Sequence, residues 1–292
     1  MKTQNVTSET KRLALYSSAV LVCLTVTFAS CKKEALVNPR METADVNSAD
    51  VSAADMSKIN TYNASFLQSN EINSSDRHDL TTAELKRCYL ADAVGCLGGP
   101  ESGGAATLIM YADLKWGQWF SVYHGPNPTP DPNNGFNNWG IMHNSNCNIA
   151  FTIPNLFTTS GFNAAAFYPA QKADILARGG FYTAVNYPSL TSYLNTVNFI
   201  TSAERGSTTS VGLLTNFYNA GKVSLQVFNV VKQYCSYMDI NGQSMSAAAV
   251  SQYTHGFLLT INSLTITQAS KNSISEFLAT ANYSYTFWAG AL

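Results

Sequence analysis

The chain reads as an all-α protein, a bundle of about seven helices, and three observations lead there. Helix start and stop signals are dense from Thr81 onward, and a long apolar stripe runs between Val211 and Ile240. The only segment rich in β-branched residues, LTINSLTIT at 259–267, has no second strand to pair with. Thr81-Thr82-Ala83-Glu84 fits a capping box, so a helix of small residues is expected over about 82–98. The run GPNPTPDPNNGFNN, from Gly125 to Asn138, places four prolines among asparagines and glycines and reads as a surface loop.

Further along, Pro169 suits a first helical position with Gly179 past the end, and Pro188 and Gly206 bracket another helix in the same way. Phe217, Gly221, Ser224, Phe228, Val231, Cys235 and Met238 fall at spacings of four and three. They predict one long helix over 211–240, with Ser210 as cap and Asn241-Gly242 as stop. Two more helices follow, over about 246–262 and 273–290, the second opened by the capping box Ser273-Ile274-Ser275-Glu276. The segment 259–267 is then a helix end and a turn.

The start of the chain has a different character. Lys2, Lys11 and Arg12 precede an apolar run from Leu13 to Phe28, which ends at Ala29-Ser30-Cys31. A basic region, a short apolar region and small residues before a cleavage point mark an export signal. The 16 residues fall short of the roughly 20 apolar residues that span a bilayer. With a cysteine at the cut, the segment resembles the signal of bacterial lipoproteins, Phe28 standing where that family usually has leucine. The resemblance implies cleavage before Cys31, lipid on its sulfur and amine, palmitate among the acyl groups, and attachment to the cell envelope, with the outer membrane as the expected site. Three regions follow: a signal over 1–30, a lipidated and largely flexible tether over 31–80, and a single helical domain over 81–292. The tether is expected because 32–57 is polar and poor in large apolar side chains.

Charge is scarce. Only 12 charged residues lie in the 178 from Lys115 onward, about a quarter of the usual share being met. The polar surface is therefore expected to be made of Asn, Ser, Thr, Gln and Tyr, suited to a glycan or to another protein. A net charge of −1 argues against nucleic acid, which needs a basic face.

Motifs that carry chemistry are few. Pro100-Glu101-Ser102-Gly103-Gly104 is similar to the Gly-Asp-Ser-Gly-Gly run of trypsin-like proteases, but no catalytic His and Asp precede it in the required setting, so no catalytic residue is assigned. His143 and Cys147 share a helical spacing, with His78, His124 and His255 as remote third candidates. No carboxylate or second close pair accompanies them, so no metal and no cofactor is expected. Asp131, Asp174, Glu204, Asp239 and Glu276 are too dispersed to mark an acid/base pair, and Glu204 reads as a surface charge.

Ala91, Gly95, Gly99 and Gly103 recur every four residues. Either a packing helix ends in a glycine-rich loop, with Pro100 breaking the run, or the glycine face acts on membranes. Beyond the signal, Cys88, Cys96, Cys147 and Cys235 allow two disulfides or four buried thiols. Cys88 and Cys96, about 12 Å apart on one helix, could not bridge each other. The segment Asn137-Asn138-Trp139-Gly140-Ile141-Met142-His143-Asn144 resembles a run in uncharacterised helical lipoproteins of Bacteroidota. Phe136, Trp139, His143 and Asn144, at the edge of the Pro/Asn-rich loop, are the candidate binding residues; bracing of that loop by His143 is the alternative.

Overall fold

The computed structural model describes residues 50–69, 82–115, 137–158, 161–178, 184–242 and 245–290. Among these residues the chain is all-α. In order, the helices are α1 (Ala53–Ser69), α2 (Thr82–Cys96), α3 (Pro100–Lys115), α4 (Asn137–Ala150), α5 (Ala164–Arg178), α6 (Leu190–Arg205), α7 (Ser210–Asn219), α8 (Leu225–Asn241), α9 (Ala247–Asn262) and α10 (Gln268–Gly290). A hairpin of two-residue strands, β1 (Phe157–Thr158) and β2 (Gly161–Phe162), sits between α4 and α5, pairing Phe157 with Phe162. The signal, Cys31, Thr81, His78, His124, Phe136 and most of the 125–138 loop lie outside the described residues.

The helices exceed the expected seven for identifiable reasons. Pro100 does break the glycine run, but a new helix begins there instead of a loop, because Gly99 at φ 127° makes the turn and proline is at home at a helix start. Gly95 and Gly103 then serve the hairpin itself. A Cβ on Gly95 would stand 2.5 Å from that of Ala106, and one on Gly103 would stand 3.2 Å from that of Cys96. The glycine face lets α2 and α3 approach closely.

The stripe over 211–240 is real, but two helices carry it. Gly221 adopts φ 67°, and Ser224 caps α8 by accepting from the Val227 amide at 3.3 Å. Thr209, not Ser210, caps α7. Helix α5 starts five residues before Pro169, with the Asn163 side chain accepting from the Ala166 amide, and proline lies inside it. Helix α10 likewise starts before its expected box: Thr267 accepts from the Ser270 amide at 3.1 Å, leaving Ser273 within the helix. As expected, 259–267 is the end of α9 and a turn.

Helix α1 occupies part of the segment read as tether. Ser52 caps it, and Ile59 and Phe66 are buried. Asp55 fixes its start, accepting from the Thr265 amide at 2.9 Å and pairing with Lys58 at 2.9 Å. The Thr265 hydroxyl, and after it Lys58, holds the Asp55 carboxyl below the usual carboxylate range.

The expected tyrosine-rich surface is largely a tyrosine-rich core. Tyr89, Tyr193, Tyr234 and Tyr253 are among the largest fully buried side chains. Tyr253 stacks on Tyr237 with ring centroids 4.2 Å apart and on Tyr234 at 5.2 Å. Three buried hydroxyls find partners inside: Tyr253 donates to Asn63, Tyr285 to the Met245 carbonyl, and Tyr234 pairs with Thr254. All four cysteines are buried thiols, not disulfides. Burial pushes the Cys96 and Cys235 thiols up.

Candidate functional site

Three helices at the centre are buried on every side: residues 88–96 of α2, 101–106 of α3 and 139–147 of α4. Helices buried all round are ordinarily apolar. These carry Asp92, Glu101, Ser102, His143, Asn144, Ser145 and Asn146, each no more than 4% exposed.

The polar groups meet where α2, α4 and α10 cross. The His143 Nε2 lies 3.0 Å from Asp92 Oδ2 and 3.5 Å from Cys147 Sγ. Asp92 Oδ2 also accepts from the Ser284 hydroxyl and from Trp288 Nε1, the latter at 3.2 Å. On the other edge of the ring, Nδ1 lies 2.9 Å from Asn144 Oδ1. The Asn144 amide nitrogen donates to the Tyr283 carbonyl at 3.2 Å, which leaves its oxygen facing the imidazole.

An amide oxygen and a carboxylate only accept, so beside an ionised Asp92 both Nδ1 and Nε2 donate and His143 is an imidazolium. Burial alone would push its pKa down; the Cys147 sulfur and the Asp92 carboxylate overcome this and hold it well above its usual value. Asp92 and His143 are thus an ion pair in the dry core, oriented by neutral donors from α10.

Chemically the pair is a fastener. A nucleophile-activating triad needs the base to face its nucleophile with one nitrogen and its orienting carboxylate with the other. Here Asp92 and Cys147 share Nε2, and all three are closed to solvent. Of the candidate binding residues, Trp139, His143 and Asn144 lie inside the protein, at 6%, 1% and 3% exposure. They brace α4 against its neighbours and do not present a surface. His255 is on the exposed side of α9, and no group of three or more His, Cys, Asp or Glu side chains is placed to hold a metal among the described residues.

A second seam joins α5 to α4 and α3. Asp174 accepts from Ser145 at 3.0 Å and from Asn146 at 3.4 Å, while Gln171 donates to the Glu101 carbonyl at 3.0 Å. Ser102 is fully buried in α3.

An open concavity lies elsewhere. A cleft of about 150 Å³ is walled by α2, by the end of α6, by the 206–209 turn and by α7 and α8. Arg87, Glu204 and Asp239 line it, over a floor that includes Leu213. Glu204 is 3% exposed, unlike the surface charge expected from its place before Gly206. No sequence signal pairs it with Asp239, 35 positions on; only the packing of α6 and α8 on opposite ends of the α7 segment does. The walls are well braced: Ser210 donates to Asp239 at 2.8 Å, Ser207 to the Ala203 carbonyl at 2.7 Å, and Asn216 to Ser207 at 2.9 Å.

Among the described residues, fold and sites together describe an all-α protein with an ion pair in its core and a charged cleft at its flank. Compared with protein-family models, with curated proteins and with solved structures, the chain matches none of them.

Proposed function

We propose that this protein is a lipid-anchored component of the bacterial cell envelope, attached at the outer membrane, with a non-enzymatic binding or structural role towards a glycan or protein partner. The observation that carries the proposal is the apolar run Leu13–Phe28 closing on Ala29-Ser30-Cys31. Each buried CH2 of the lipid adds about 0.8 kcal/mol to membrane attachment. A braced core whose most chemical cluster is shut from solvent suits a scaffold better than a catalyst. The alternative of a membrane-active glycine face has less support, since Gly95 and Gly103 are taken up by the contact between α2 and α3. No helix among the described residues is long and apolar enough to cross a membrane.

The test is the intact mass of protein extracted from membranes, beside a Cys31→Ser variant. The expected species begins at Cys31 and carries the added mass of acyl chains, and the variant lacks that mass and leaves the membrane fraction. An unmodified cysteine, or a chain retaining residues 1–30, refutes the anchor.

A further inference from the structure

We propose that α1 is a strap, a helix that docks on α8 and α9 as a unit of its own and lifts away while the rest of the bundle stays folded, lengthening the leash from Cys31 to the body. The leash rests on the lipid anchor proposed above; the strap does not. Three observations lead there.

The first is that α1 is held from one side. Asp55, Ile59 and Phe66 are buried and Tyr62 is half-buried, a single stripe at spacings of four, three and four. Ala53, Ser57, Asn60, Thr61 and Ala64 are exposed between them, whereas α2 and α4 carry stretches buried all round. The stripe packs on α8 and α9. Tyr62 donates to the Tyr253 carbonyl at 2.7 Å and Lys58 to the Ser263 carbonyl at 3.1 Å, while Asp55 accepts from the Thr265 amide. With the bond from Tyr253 to Asn63, these contacts join residues 190 to 210 positions apart.

The second is that the seat has its own support. Tyr62 stacks on Tyr253 with ring centroids 5.6 Å apart, and Phe66 meets the same ring edge-on at 5.2 Å. Beneath them Tyr253 stacks on Tyr237 and Tyr234, and Tyr234 packs edge-on against Phe277 of α10 at 5.4 Å. Ser246 caps α9 by accepting from the Ala249 amide at 3.2 Å. None of these supporting contacts involves α1, so α8, α9 and α10 keep their mutual packing when it lifts.

The third is the balance at the seat. A helix of 17 residues is marginal in water by itself, so one stripe must offset the ordering of the whole segment. Such a unit opens at lower free energy than the core. Gly256 sharpens the conflict. A Cβ there would overlap the Tyr62 hydroxyl and ring. Glycine inside a helix weakens it relative to alanine, so α9 favours a methyl that the seat of α1 excludes.

The consequence is reach. With α1 docked, the chain from Cys31 to Asp50 spans at most about 65 Å; with α1 lifted, the chain from Cys31 to Thr82 spans at most about 175 Å.

The test is hydrogen exchange read by mass spectrometry on the full chain in detergent, repeated in low urea. Amides of 53–69 should be protected, and should lose that protection together, at least about tenfold faster than those of α2, α4, α9 and α10. Gly256→Ala should speed exchange of 53–69 about tenfold while α9 keeps or gains protection. Ile59→Ala, which leaves α9 as it is, should speed the same segment about tenfold or more and leave α2, α4 and α10 unchanged. Exchange of 53–69 at the rate of α9 and α10 overturns the proposal, as does exchange at the unfolded rate in the parent chain. Loss of protection throughout the bundle in Ile59→Ala, or none anywhere in both variants, overturns it as well. The pattern should be the same in Cys31→Ser, so failure of the anchor and failure of the strap are read separately.

Discussion

Replacing Asp92 by asparagine tests whether the ion pair at the centre holds the bundle together. The substitution keeps an oxygen that can accept from Ser284 and Trp288 but removes the charge opposite His143. An imidazolium in a dry site must then lose its proton or stay uncompensated. Removing one partner of a buried pair costs about 3–5 kcal/mol, and for a domain of this size each kcal/mol lowers the melting temperature by about 2–4 °C. Asp92→Asn should therefore melt about 6–20 °C below the parent chain, followed by circular dichroism with urea unfolding as the equilibrium check. His143→Gln should cost a similar amount, and the double variant should cost less than the two singles summed, because the second removal no longer strands a charge.

The same pair carries a pH signature. His143 has a folded pKa raised well above its unfolded value of about 6.5. Its contribution is fully present below that value and is lost as pH rises through the folded pKa, at about 1.4 kcal/mol per pH unit in between. Parent stability should fall above about pH 6.5, and Asp92→Asn should lose that slope. A cost under about 1 kcal/mol, strict additivity in the cycle, or an identical slope in the variant would refute the reasoning.

Other substitutions test the packing around that centre. Gly95→Ala forces a methyl into Ala106 and should cost about 1–3 kcal/mol by overpacking, read as a lower denaturation midpoint at unchanged m-value. Gly140→Ala, whose new Cβ would overlap the Tyr283 ring, should do the same. Ser52→Ala removes the cap of α1 and should cost about 0.5–2 kcal/mol if 53–69 is docked; no change would mean that this helix adds nothing to folding. Asp55, whose folded pKa is depressed, contributes stability above its unfolded pKa of about 3.9 and loses it as pH falls through the folded one. Asp55→Asn should flatten acid unfolding in that window. Iodoacetamide should leave Cys88, Cys96, Cys147 and Cys235 unlabelled in native protein and label all four in urea without prior reduction; a need for reductant would reveal a disulfide.

How much of this was legible in the sequence depends on whether the signal is local. Caps and stripes are local, so the limits of α6 and α9 and the break at Pro100 could be read directly. The division of α7 from α8 was also written there, at Gly221, but the stripe continues across it and masks the break. Helix α1 carried Ser52-Ala53-Ala54-Asp55 followed by Ile59, Tyr62 and Phe66, a capping box and a stripe that the polar composition around them hid. Asn163 and Thr267 as caps were equally visible, each one residue ahead of its helix, and the more conspicuous Pro169 and Ser273 drew attention past them.

The sites were harder for a physical reason. Asp92 and Ser284 are 192 positions apart, and Glu204 reaches the Asp239 cleft only through the packing of separate helices. Nothing local distinguishes a polar residue that faces water from one that faces another polar residue across a buried helix. His143 and Asn144 were picked out by sequence, and the structure gives them a common purpose, but inside the molecule. Scarce charge then has a structural explanation that surface chemistry alone does not supply. A bundle whose central helices are buried on all sides can place few charged side chains there, yet it needs polar groups to fix which helix crosses which. Ser, Asn, His and Tyr make directional bonds at smaller desolvation cost than full charges. The Asp92–His143 ion pair sits where three helices cross, the place where a wrong register would strand the most charge. Its role in selecting one packing over its competitors makes a specific demand on the Asp92→Asn variant: it should lose dispersion among its amide resonances as well as stability, and a destabilised variant with fully native dispersion would show that the pair contributes energy but no specificity.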